Sequence, residues 1–141
     1  ETILGPDGIR ALSSPKVDQD LVAWLREQPY RIEEVVDGKR VLMTHGSPWE
    51  PWKDYLYPHE SGWARASTLD CDTLIVGHTH YKMAQRFGDV LVINPGSAGD
   101  PRDHRNEFLL SCAVWDTTAD EVIFYDYQDP TRNFVSHSGK L

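Results

Sequence analysis

The chain has 141 residues, 40% hydrophobic and 11% aromatic, enough to fold as one globular domain rather than stay disordered. Its formal charge of −8 and pI near 5.1 argue against nucleic acid as a stable partner, because such binding needs Lys and Arg to neutralise phosphates. A small phosphate ester stays open, since a bound cation supplies positive charge, whereas no apolar run approaches the roughly 18 residues of a membrane span.

Residues 1–13, with Gly5-Pro6-Asp7-Gly8, read as an irregular lead-in. Ser14-Pro15 reads as a helix start: a hydroxyl to cap free amides, then a residue whose φ is already helical. Val17, Leu21, Trp24 and Leu25 recur at helical spacing and predict an amphipathic helix that stops before Pro29. Residues 30–36 and 39–44 flank Asp37-Gly38, a hairpin signal. The stretch 45–62 is long and aromatic, with Trp49, Trp52, Tyr55 and Tyr57, expected to pack onto the core or to wall a base or aryl group. A short helix is expected over 62–69 and a central strand over 72–76.

Gly77-His78-Thr79-His80 follows that strand. Residues 82–87 and 90–94 predict a second hairpin around Gly88-Asp89, and 95–106 a loop. Two further strands are expected at 108–115 and 121–127. Residues 128–141 lack a pattern and read as a loosely attached tail. Cys71 and Cys112 read as free thiols of a reducing cytoplasm.

Three apolar runs therefore end at turns rich in Gly, His or Ser, the place where open α/β sheets deliver chemistry. His78 and His80, two apart, would point the same way on extended backbone. With His45 at another strand end they suit Zn, Mn, Fe or Ni. His59, His104 and His137 read as ordinary surface histidines. Two site types stay open: a mononuclear three-histidine centre with a position for water, or a share of a two-metal centre. The second needs carboxylates, and the nearest in sequence, Asp54, Asp100 and Asp103, read as solvated loop residues.

Thr44-His45-Gly46-Ser47-Pro48, Gly77-His78-Thr79-His80 and the run from Asn94-Pro95-Gly96-Ser97 to Asp100-Pro101-Arg102 resemble, in order and spacing, the carboxyl-terminal blocks of calcineurin-like metallophosphoesterases. The resemblance covers roughly residues 40–127 and points to the small bacterial and archaeal phosphodiesterase branch. It implies an α+β fold: a β-sandwich flanked by helices in α/β/β/α layers, of which this chain supplies about one half. It also implies two divalent metal ions, with His45 and His78 as ligands of one and His80 as a ligand of the other. The implied activity is hydrolysis of a phosphodiester or small phosphomonoester by a two-metal mechanism. Gly46, Thr79 and Arg102 are the substrate-binding candidates, although Arg102 by itself reads as a surface arginine. The Asn94–Ser97 segment resembles a structural turn.

The family's earlier blocks, Asp-x-His, Gly-Asp and Gly-Asn with its following His or Cys and Asp, do not precede His45. Residues 1–141 are thus expected to be the carboxyl-terminal part of a single domain, completed by an amino-terminal half or a second copy. Alone, the chain is expected to be inactive or impaired and to expose an apolar sheet face. The competing expectation is a non-catalytic interaction scaffold of the same fold, which metal analysis separates from the enzyme.

Overall fold

The computed structural model describes residues 12–51 and 53–128. The expected lead-in up to residue 11, Trp52, His137 and the tail from 129 lie outside the described residues. Helix α1 (Gln19–Glu27) begins a turn later than Ser14-Pro15. Ser14 instead closes a separate turn through its carbonyl to Val17 N–H, and Asp18 caps the helix, its Oδ1 accepting from the amides of Asp20 (3.0 Å) and Leu21 (3.2 Å). The helix stops before Pro29 as expected. Its apolar stripe does not reach the core: only Val22 is buried, while Leu21 is 53% and Trp24 and Leu25 are each 55% exposed.

Strands β1 (Arg31–Val36) and β2 (Lys39–Thr44) form the first hairpin, with Val36 opposite Lys39 and positive φ at Asp37 (49°) and Gly38 (80°). That is the two-residue turn Asp-Gly supports. Strand β3 (Thr73–Ile75) lies parallel to β2 on one side and to β5 (Val90–Asn94) on the other; β4 (Met83–Phe87) closes the far edge antiparallel to β5. The sheet order is β1-β2-β3-β5-β4. Every residue of β5 is buried, as a strand covered on both faces requires.

Leu42, Leu74, Val76, Met83 and Val92 form the core with Trp63 and Ala66, which come from a 3-10 helix (Ser61–Thr68) laid on the sheet. The expected helix over 62–69 takes this tighter form. Ser67 and Thr68 hydroxyls bond the carbonyls three residues back, at 2.8 Å each, an alternative to the α pattern.

Strands β6 (Leu110–Asp116) and β7 (Glu121–Tyr127) pair as a two-stranded ribbon. The first starts later than residue 108 because Glu107 and Phe108 both adopt positive φ in the preceding turn. Lys82 to Asp126 (2.6 Å), Lys39 to Asp120 (3.0 Å) and an Arg86–Asp120 pair tie the ribbon to the large sheet. A mixed sheet with few helices makes the fold α+β. Val35 at 68% and Met43 at 41% exposure show apolar side chains of the β1–β2 hairpin open to solvent. No helix among the described residues is long and apolar enough to cross a membrane.

Candidate functional site

Because β2, β3 and β5 are adjacent and parallel, their carboxyl ends open side by side. His45 follows β2, the Gly77–His80 turn follows β3 closely, and Asn94 is the last residue of β5. The two flanking strands hold the turn. Gly77 N–H donates to the His45 carbonyl at 2.8 Å. The Asn94 side-chain amide donates to the Gly77 carbonyl (2.8 Å) and the Thr79 hydroxyl (3.1 Å). Thr79 N–H then closes back onto the Gly77 carbonyl at 2.7 Å, folding the chain tightly around His78.

That turn corrects the expectation of extended backbone. His78 and His80 have φ of 65° and 63°, the left-handed region, so the alternation of a strand does not orient their rings. Non-glycine residues held there cost energy, and such positions cluster at functional sites. His78 Nδ1 lies 3.0 Å from His45 Nε2, one ring donating and the other accepting. His80 turns to Asp100, 2.7 Å from its carbonyl.

The His78 ring is enclosed by His45 (centroids 4.9 Å apart) and Tyr55 (4.1 Å), and its Nε2 is buried with no hydrogen-bond partner. Burial pushes its pKa down, and the neighbouring His45, His80 and Arg102 charges push the same way. A neutral imidazole with an unmatched nitrogen is what a cation requires of a ligand. At His80 the carbonyl of Asp100 can only accept, so Nδ1 carries the proton and Nε2 keeps its lone pair, the tautomer seen in metal-bound histidines. His78 Nε2 and His80 Nε2 thus offer lone pairs that suit a divalent metal, although no group of three or more His, Cys, Asp or Glu among the described residues is gathered as a metal site.

The carboxylates separate. Asp54 accepts from Ser47 Oγ (2.8 Å) and Arg65 (3.3 Å). Asp100 pairs with Arg102 at 2.8 Å and has Oδ2 3.5 Å from His80 Nδ1. Asp103 is not solvated but 1% exposed, gripped by Arg105 and by Lys82 N–H. Burial pushes its carboxyl up, but the Arg105 side-chain and backbone bonds and Lys82 N–H outweigh this and hold it below the usual range.

Among the substrate-binding candidates, Gly46 sits where a Cβ would come within 2.3 Å of the Pro51 carbonyl oxygen. Thr79 is buried, its hydroxyl engaged by Asn94 and, at 3.4 Å, by Tyr81 N–H. Arg102 is exposed and bound to Asp100. Two participants escaped the sequence reading. Asn94 looked like the start of a turn, yet a polar residue ending an all-apolar buried strand was a signal. Tyr55 was one of four loop aromatics with nothing to single it out.

A model of the calcineurin-like phosphoesterase superfamily domain matches residues 16–120. A probable metallophosphoesterase of Mycoplasma pneumoniae is 29% identical over 94 residues, spanning 63% of this chain and 58% of that protein. The crystal structure of a metallophosphoesterase from Sphaerobacter thermophilus is 25% identical, with a TM-score of 0.64 over 80% of this chain and 54% of that one. A hypothetical protein from Pyrococcus horikoshii shares the fold at 18% identity, with a TM-score of 0.70 over 91% of this chain and 57% of that one. The chain spans about half the length of the curated relatives it matches.

Proposed function

This chain belongs to the calcineurin-like phosphoesterase superfamily, and from that premise we propose that the protein hydrolyses phosphoesters, phosphodiesters or small phosphomonoesters, by a two-metal mechanism. The observation that supports it most is the buried, partnerless Nε2 of His78 at the mouth of three parallel strands, beside His45. His45, His78 and His80 would hold the metal ions, of which Mn, Zn, Fe and Ni suit imidazole nitrogen. Bound divalent cations polarise phosphoryl oxygens and offset the negative charge that develops on them during displacement.

The chain's own residues position this chemistry. Asn94 and the His45 carbonyl hold the Gly77–His80 turn, and Asp100 fixes the His80 tautomer. Gly46 keeps the backbone close at the strand end, and the Thr79 hydroxyl braces the turn next to the ligands. Arg102 is a cation for a phosphate oxygen once it exchanges Asp100 for substrate. Further carboxylate ligands would come from an amino-terminal segment or a second copy. The cytoplasm is the proposed compartment, consistent with the free thiols Cys71 and Cys112.

The scaffold reading draws on one observation, that no three-ligand group is gathered among the described residues. One experiment separates the two. The intact protein is loaded with Mn and assayed on an aryl phosphodiester. Metal-dependent turnover that falls about 100-fold in His78→Ala supports hydrolysis, in line with losses on disturbing metal ligation. A folded protein that binds no metal and turns nothing over supports the scaffold.

A further inference from the structure

Tyr81 directly follows His80, so their Cα atoms are about 3.8 Å apart. Its ring meets Tyr57 edge to face, centroids 5.0 Å apart at 85°, and meets His104 at 5.7 Å and 69°. Its hydroxyl lies 3.0 Å from His104 Nδ1. Tyr57 in turn stacks on His59, 6.1 Å away and 18° from parallel. These four rings and Arg105 line a cleft of about 420 Å³, and no carboxylate lines it among the described residues.

Arg105 is the cleft's fixed cation. The buried Asp103 carboxylate holds its Nε and Nη2, and the Lys82 carbonyl takes a further bond from Nη2, so Nη1 takes part in none of these bonds. The guanidinium carbon stands 5.2 Å from the Tyr81 ring centre. Half-buried tyrosine rings at right angles, exposed imidazoles at the rim and a pinned guanidinium favour a flat π-system that carries an acceptor oxygen or negative charge. Aliphatic groups gain little there.

We infer that this cleft binds the aromatic portion of the substrate, a nucleobase or aryl ring, next to the phosphate-handling turn. This rests on the phosphoester reading and deepens it by naming the substrate class. The face of Tyr81 or Tyr57 stacks on the ring, and Arg105 Nη1 donates to an acceptor atom of that ring. Rings that merely pack one loop on another would show no preference for an aromatic ligand.

The test uses the intact protein as purified, titrated with adenosine 5′-monophosphate and with ribose 5-phosphate while backbone amides are followed by NMR. The monophosphate carrying a base is expected to shift the amides of Tyr81, His104 and Arg105, and the baseless sugar phosphate to leave them in place. Tyr81→Leu should weaken adenosine monophosphate binding roughly tenfold, while Tyr81→Phe, which keeps the ring, should bind as the wild type does. If Tyr81→Leu does not fold, the exposed His59→Leu replaces it, with a loss of about threefold expected. Equal affinity for the two probes, or unchanged affinity in the folded leucine variant, overturns the assignment. Absence of aryl phosphodiester turnover with the base preference intact overturns hydrolysis and supports the cleft.

Discussion

Asn94 is 2% exposed, and both bonds from its side-chain NH2 go to the turn that carries His78, while its Oδ1 accepts from Gly96 N–H at 3.0 Å. Replacing it with Ala leaves the strand's packing largely in place but withdraws the clamp. Asn94→Ala should lower stability by about 1–3 kcal/mol in urea denaturation, as losing buried hydrogen bonds does. It should also weaken Mn binding about tenfold, as disturbing the support of a ligand does; unchanged metal affinity would show that the clamp does not position the histidines. Gly96 is the second backbone constraint, with φ of 86° and a hypothetical Cβ 1.9 Å from Ser111 Oγ. Gly96→Ala should cost more than about 1 kcal/mol by the same measurement. Asp103 sets an acid limit. Its folded pKa lies below its unfolded value, so its stabilisation is complete above about pH 4 and is lost as pH falls through the folded value. Acid titration of Asp103→Asn should show a flatter decline than wild type below that pH; parallel curves would remove Asp103 from the account. The strand-end positions of His45, His78 and His80 were readable from sequence because apolar runs and Gly turns are local signals. The direction of the His78 ring was not, because its positive φ is imposed by Asn94, sixteen residues away along the chain, and by the His45 carbonyl.

At the scale of elements, both hairpins read correctly because Asp37-Gly38 and Gly88-Asp89 carry their own turn geometry. The start of α1 misread because two capping signals, Ser14-Pro15 and Asp18, lie four residues apart, and a carboxylate accepting two amides wins. The ribbon β6–β7 was visible as two strands, but its attachment was not, since ion pairs such as Lys39–Asp120 join residues 81 apart in sequence. Lys39 and Arg86 both converge on Asp120, and Thr117 bonds Asp37 at the same end. Asp120→Ala should therefore speed hydrogen exchange at Val114 and Phe124 a few-fold, the scale of partly exposed pairs, while Leu74 and Val92 stay protected. Uniform acceleration across both sheets would contradict an attachment local to the ribbon.

For the whole molecule, the described residues leave several large apolar side chains exposed. Leu21, Trp24 and Leu25 on α1, Ile32 on β1 with its partner Met43 on β2, and Val35 on the opposite face of β1 are exposed apolar side chains, and β1 and β4 are sheet edges. Surfaces of that kind promote association. The 141-residue chain should therefore sediment with a concentration-dependent mass, reduced by Leu25→Lys with Val35→Lys; a monomer at all concentrations would contradict this. The central claim, however, is that imidazoles at two strand ends hold cations for phosphoester chemistry. Its most direct test is pulsed EPR of the Mn-loaded intact protein, which detects nitrogen coupled to the bound ion. The account predicts stoichiometric Mn with imidazole couplings that are reduced in His78→Ala, where His45 and His80 remain; equal Mn occupancy and unchanged couplings in that variant would contradict it.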